Sequence, residues 1–190
     1  MRAGIKSILT AGTLAGMLAV TAFAPAPRNL SLGKESRLWL EGTSTVRSFK
    51  CSAVKVNVTA VGEATAQPED LVKSASLTVP VSQLDCGNKT MNEHMRKALK
   101  AEQFGEIAWT MTSYDVQGAN VTVSGKLTIA GKENPIELKG TGSNEGGVIR
   151  FKGSKQFKMT EYGVKPPSLM LGTMKVGEAV TVSFDLALSE

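Results

Sequence analysis

The chain holds one histidine, His94, so any mechanism that needs an imidazole must use it. A Ser-His-acid triad would require a serine presented to His94, and no GxSxG elbow occurs. HExxH, a phosphate-cradling GxxxxGK[ST] loop and GxGxxG after a strand are equally missing from the sequence. Glu41, Glu93, Glu106 and Asp185 have no spacing that marks an acid–base pair. Enzymatic chemistry therefore has no positive signal, and no catalytic residue is assigned. His94 lies beside Met91 and Met95 at the margin of an apolar helix face. Its ordinary role there is a hydrogen bond to a loop or backbone, and its sharper role a polar contact at the mouth of a pocket. Haem or copper held by His94 and a methionine is the remote case, because methionines at helical spacing usually fill gaps in a core. No metal site is assigned.

The two cysteines, Cys51 and Cys86, are too far apart and too few for a metal knuckle. Their chemistry depends on compartment, and the first 22 residues supply one. Arg2 and Lys6 precede an apolar run from Ile8 to Ala22 with small residues at its end, the pattern of a secretory signal peptide. Cleavage is expected after Ala22, since Pro25 disfavours the later Ala22-Phe23-Ala24 site. In an oxidising compartment an even cysteine count implies a bridge, so a Cys51–Cys86 disulfide is expected. The net charge of +5 falls to +3 once Arg2 and Lys6 leave. That charge is dispersed, with no basic run interleaved with aromatics, and gives no reason to expect nucleic acid.

The elements that position these residues are mostly strands. Leu77, Val79 and Val81 alternate with Thr78, Pro80 and Ser82, a strand with one buried face. Asp85-Cys86-Gly87-Asn88 breaks it, and Thr90 with Glu93 has capping-box spacing for a helix whose face is Met91, Met95, Ala98 and Leu99. Ile107, Trp109 and Met111 then alternate with Ala108, Thr110 and Thr112. Residues 23–34 read as a linker and 35–190 as a single domain. Within it, Ser36–Glu41, Thr45–Ala53 and the alternating Val54, Val56 and Val58 read as strands.

Hairpin signals fall at Gln117-Gly118-Ala119-Asn120, Ala130 to Asn134 and Asn144-Glu145-Gly146-Gly147. Gly125 sits inside the Val121–Ile129 strand as a bulge or bend. Val180, Val182, Phe184, Leu186 and Leu188 close the chain in its cleanest alternation. Tyr162 to Gly177 reads as a long, apolar, irregular loop. It either tucks back to close one end of the fold or exposes Leu169, Met170 and Leu171 to an amphiphile or membrane surface.

The fold class is mainly β: an extended antiparallel, lipocalin-like β-barrel of about eight strands with one short helix. Closure removes sheet edges, and eight strands enclose just enough room for side chains or one small ligand. No charged residue falls at the inward positions of the clean strands, so a cavity would be apolar.

Two segments resemble the YceI-like family. One is Met91-Asn92-Glu93-His94-Met95-Arg96-Lys97-Ala98-Leu99 followed by Phe104-Gly105-Glu106-Ile107-Ala108-Trp109. The other runs Val123-Ser124-Gly125-Lys126-Leu127-Thr128-Ile129-Ala130-Gly131, followed by Ile136 and Leu138. The ending from Phe157 through Tyr162-Gly163-Val164 to Phe184 is similar too. The resemblance implies an exported bacterial barrel enclosing a polyisoprenoid chain, such as a quinone tail, in an apolar tunnel. The family commonly places Arg-Asp ahead of the histidine and His-Ser near the first strand. This chain has Met91-Asn92 and Thr43-Ser44-Thr45-Val46 instead.

The resulting expectation is a periplasmic or secreted, non-enzymatic protein that sequesters or carries an isoprenoid-type lipid, with transient membrane-surface contact. Its tunnel wall would be Val79, Val81, Ile107, Trp109, Met111, Val123, Leu127, Val182, Phe184 and Leu186, with His94, Leu169 and Met170 at the mouth. No cofactor is expected beyond a bound quinone or polyprenyl lipid. The alternative is a barrel filled by its own side chains that acts through its surface on a protein partner.

Overall fold

Two-residue alternation punctuated by glycine turns builds twelve strands and one α-helix among the described residues, which are 27–63, 71–169 and 173–190 of a computed structural model. The strands are β1 (Pro27–Leu32), β2 (Arg37–Ser44), β3 (Ser48–Ala53), β4 (Asn57–Glu63), β5 (Ser74–Pro80) and β6 (Leu84–Asp85). After the helix α1 (Lys89–Ala98) come β7 (Glu106–Gln117), β8 (Asn120–Ile129), β9 (Lys132–Glu145), β10 (Val148–Lys158), β11 (Ser168–Leu169) and β12 (Met174–Ser189). The expected signal peptide lies outside the described residues.

Eight of these strands close a barrel. Antiparallel ladders run β1-β4-β5-β7-β8-β9-β10-β12, and β12 returns to β1 through Ser31↔Ser189 and Leu32↔Leu188. The same edge of β12 pairs along Val176–Asp185 with β2, which continues through β3 to β6. The wall between β12 and the β5–β6 segment is thus made by β1 and β4 at one end and by β2 and β3 at the other. Long hairpins need tight turns, and these use left-handed residues: Ala130 (φ 49°) with Gly131 (φ 80°), and Gly146 with Gly147 (φ 59° and 84°). The β8–β9 hairpin is tighter than the sequence suggested, since β9 begins at Lys132 rather than after Asn134.

Several expectations are corrected. Pro27–Leu32, assigned to the linker, is β1, and Leu30 is buried. It pairs with Ala60 of β4, a partner too distant in sequence to show in local composition. The alternating valines do not form one strand: the chain turns at 54–56, Val54 is 69% exposed, and β4 starts at Asn57. Helix α1 is capped by Asn88, whose side chain accepts from the Met91 amide at 3.1 Å, not by the Thr90/Glu93 box. The bend expected at Gly125 lies across the ladder in β7, where the register slips between Met111 and Ser113. The irregular loop is shorter than Tyr162–Gly177, because the buried Tyr162 ends a 3₁₀ turn and Ser168–Leu169 pairs with Met174–Lys175.

Toward α1, Ile129, Tyr162 and Val164 form a buried cluster packed against Ala98, Leu99, Leu127, Phe157 and Met159. Phe157 and Tyr162 meet edge to face with centroids 5.3 Å apart.

Candidate functional site: an apolar tunnel

Each strand turns alternate side chains inward, and the inward rows surround a cavity of about 800 Å³. That is in the upper part of the range of about 300–1,000 Å³ usual for small-molecule sites. Its lining extends from Val46, Pro167 and Met174 at the α1 end to Gly118 and Asn144 at the other. Nine of the ten expected wall residues line it: Val79 on β5; Ile107, Trp109 and Met111 on β7; Val123 and Leu127 on β8; Val182, Phe184 and Leu186 on β12. Val81 does not. The strand ends at Pro80, Val81 opens a 3₁₀ turn, and its side chain is 1% exposed in the packed core. Alternation carried one residue past the strand, into the turn that begins after the still extended Pro80.

The bulge in β7 changes which residues face inward. Ile107, Trp109 and Met111 precede it; beyond the slip Tyr114 and Val116 take the inner row. The Trp109 indole leans across to Gly125, where an added Cβ would stand 2.5 Å from Nε1. Gly125 is therefore a seat for the ring. The indole N–H is buried without an acceptor among the described residues.

Helix α1 supplies Met91, His94, Met95 and Ala98 to the same cavity, and its C-cap Leu99 joins them. Its position is set at its N-terminus. The disulfide Cys51–Cys86 joins β3 to the segment before the helix, and Cys86 Sγ lies 3.7 Å from Met95 Sδ. Asn92 works in both directions: Oδ1 accepts from the Cys86 amide at 2.7 Å, and Nδ2 donates to Asp85 Oδ1 at 2.8 Å. Donation by Asn92, then by the Gly87 amide, with the Arg96 charge nearby, holds the Asp85 carboxyl below its usual range. The Arg96 guanidinium donates to the Ser82 carbonyl at 3.0 Å. His94 lines the cavity half-buried, with no hydrogen bond among the described residues, so the backbone-bonded role is not the one seen. Of the other expected mouth residues, Leu169 is placed by its backbone pairing to Met174, and Met170 lies outside the described residues.

Three charged residues of the lining, Arg47, Arg150 and Lys155, depart from the expected apolar interior. On β10 the inward row is Ile149, Phe151, Gly153, Lys155 and Phe157, and Lys155 lines the cavity. Gly153 and Lys155 weaken the alternation, which is why the row was not legible. The signal was still there, in the even spacing of Phe151, Lys155 and Phe157. Arg47 and Arg150 also reach the lining, and no Asp or Glu does. Among the described residues no cluster of three or more His, Cys, Asp or Glu side chains could hold a metal, and no helix is long and apolar enough to cross a membrane.

The YceI-like domain model matches residues 33–188. The chain belongs to the YceI-like family. Among solved structures it is similar to BcnA of Burkholderia cenocepacia, at 20% identity and TM-score 0.68 over 80% of this chain and 96% of that one. A polyisoprenoid-binding domain from Saccharophagus degradans, implicated in plant cell wall breakdown, aligns at 14% identity and TM-score 0.63 over 87% and 99%. The YceI protein of Campylobacter jejuni aligns at 19% identity and TM-score 0.56 over 72% and 85%. At these identities the likeness concerns the fold. No curated protein matches the chain by sequence.

Proposed function

We propose that this YceI-like protein is an exported, non-enzymatic binding protein that holds the hydrocarbon chain of an isoprenoid-type lipid inside its barrel. The observation that carries the proposal is the cavity itself: about 800 Å³, continuous along the barrel, walled by aliphatic and aromatic side chains and without a carboxylate. Burial of a tail there requires few polar contacts, since each CH₂ taken from water contributes about 0.8 kcal/mol. The polyisoprenoid-binding domain of the Saccharophagus degradans protein, on a similar fold, supports the class of ligand. The filled-barrel alternative needs Trp109, Met111 and Phe184 to occupy the centre, and a cavity of this size argues against it. Export rests on the leader-like first 22 residues, and the Cys51–Cys86 bridge agrees with an oxidising compartment. A bound quinone or polyprenyl lipid would be cargo; the motifs that would indicate catalysis are lacking.

The test is mass spectrometry of an organic extract of the mature protein, purified without detergent from a bacterial periplasm. A polyprenyl lipid at one mole per mole is expected. Protein that stays empty after polyprenyl alcohols and quinones are offered would overturn the proposal.

A further inference from the structure

We propose that Lys155 is the headgroup site of the tunnel and that it selects amphiphiles whose head is an anion, a phosphate or a carboxylate, over neutral ones. This rests on the lipid-binding reading and adds to it the charge of the cargo. The evidence begins with the pattern of β10. By alternation its outward row is Arg150, Lys152, Ser154, Gln156 and Lys158, of which Arg150 alone reaches the lining, and its inward row is apolar or glycine except at Lys155. A position that breaks the inside–outside rule in an otherwise consistent strand calls for a local compensation.

None is present in the wall. No acidic side chain lines the cavity, and Lys155 has no hydrogen bond or ion pair among the described residues. The nearby acids of β12 serve the outer face. Asp185 stands 3.7 Å from Arg150 and 4.0 Å from Lys152, and Glu178 stands 3.9 Å from Lys158. Lys155 itself pairs in register with Val182, another wall residue, and has Phe157 as its inward neighbour on β10. Lys155 is half-buried at the cavity wall with no anionic partner among the described residues, and an anion entering an apolar cavity is unfavourable without a cation. Each therefore supplies what the other lacks.

The backbone gives the site a place in the barrel. The β9–β10 ladder runs from Val148↔Glu145 to Gly153↔Gly140 and stops there. Phe151 and Phe184, with ring centroids 4.8 Å apart, lie over this glycine pair. Lys155 stands two residues beyond, where β9 has left its side and the 3₁₀ turn at Met159–Tyr162 takes over, tied by the Asn134 amide to the Glu161 carbonyl at 2.9 Å. A head held at Lys155 leaves the long apolar walls of β5, β7 and β8 for the tail.

The experiment uses delipidated mature protein and pairs of probes that share a tail. Affinities of geranylgeranyl phosphate and geranylgeraniol, and of oleate and oleyl alcohol, are measured by quenching of the two lining tryptophans, Trp39 and Trp109, and by calorimetry. They are compared between wild type and Lys155→Met, whose folding is checked by near-ultraviolet circular dichroism. A charge-assisted contact predicts that wild type favours the anion of at least one pair about tenfold or more. In Lys155→Met that ratio should fall to about one, and in Lys155→Arg it should largely return. Whichever pair shows the preference identifies phosphate or carboxylate. Tight binding of the alcohols with no preference for either anion overturns the assignment to Lys155 and leaves the tail-binding reading standing, as does a preference that survives in Lys155→Met. Failure of all four probes to bind overturns both.

Discussion

Trp109 and Leu127 face each other across the β7–β8 ladder and both line the tunnel. A carboxylate at either place would be desolvated against hydrocarbon. Trp109→Glu and Leu127→Glu should each abolish uptake of a polyprenyl probe while near-ultraviolet circular dichroism still reports a packed barrel. A folded variant with unchanged affinity would remove that residue from the binding surface. Gly125 is the complementary case. A β-carbon there meets the Trp109 ring and the Thr110 carbonyl oxygen, so Gly125→Val should push the indole into the cavity. We expect a loss of stability of about 1–3 kcal/mol, a shifted tryptophan emission and weaker lipid binding. Unaltered emission would mean that the indole is seated by something other than the glycine.

Helix α1 carries none of the fully buried residues, yet its apolar face is part of the tunnel wall. It is held by its tether as well as by its packing. The Cys51–Cys86 bridge spans 35 residues. On the chain-entropy model its loss by paired Cys→Ser replacement costs about 3.8 kcal/mol, measurable by urea unfolding. A difference below about 1 kcal/mol would show that Asn92 and Arg96 hold the helix without it. The Asp85 carboxyl adds a pH term. Its value is lowered from 3.8 in the folded protein, so its stabilisation is present above that pH and is lost as pH falls through the depressed folded value. Protection factors of the Gly87 and Cys86 amides, which remove the intrinsic pH dependence of exchange, should fall below about pH 4 in wild type and change little with pH in Asp85→Asn. Equal profiles would assign the acid sensitivity elsewhere. At this scale the helix and its apolar face were legible from spacing alone. Its true cap, Asn88, was obscured because Thr90 and Glu93 two residues on satisfy the same rule.

The whole molecule is a closed wall around a space, and a lipid that fills it should act as a ligand of the folded state only. At a free concentration of 100 times its Kd such a ligand contributes about 2.7 kcal/mol. For a chain of this size that raises Tm by about 5–10 °C. Calorimetry of delipidated and reloaded protein checks this, and coincident transitions would argue that the barrel is already filled.

Local chemistry was written along the chain. The inward rows of β5, β7, β8 and β12 follow from a period of two, and the turns from residues that tolerate positive φ. The cysteine pair is expected from its even count and a leader-like N-terminal sequence. These depend on neighbours within a few residues, so one dimension suffices. Tertiary structure decided what depends on register and closure. It turned Pro27–Leu32 from linker into strand by giving it Ala60 and Leu188 as partners. It split the wall between two pairs of strands on one edge of β12 and ended the β9–β10 ladder at two glycines. It also left the centre open and Lys155 facing it. Whether inward side chains meet or leave a tunnel depends on how far apart the closed strands hold them, a distance that no local pattern encodes.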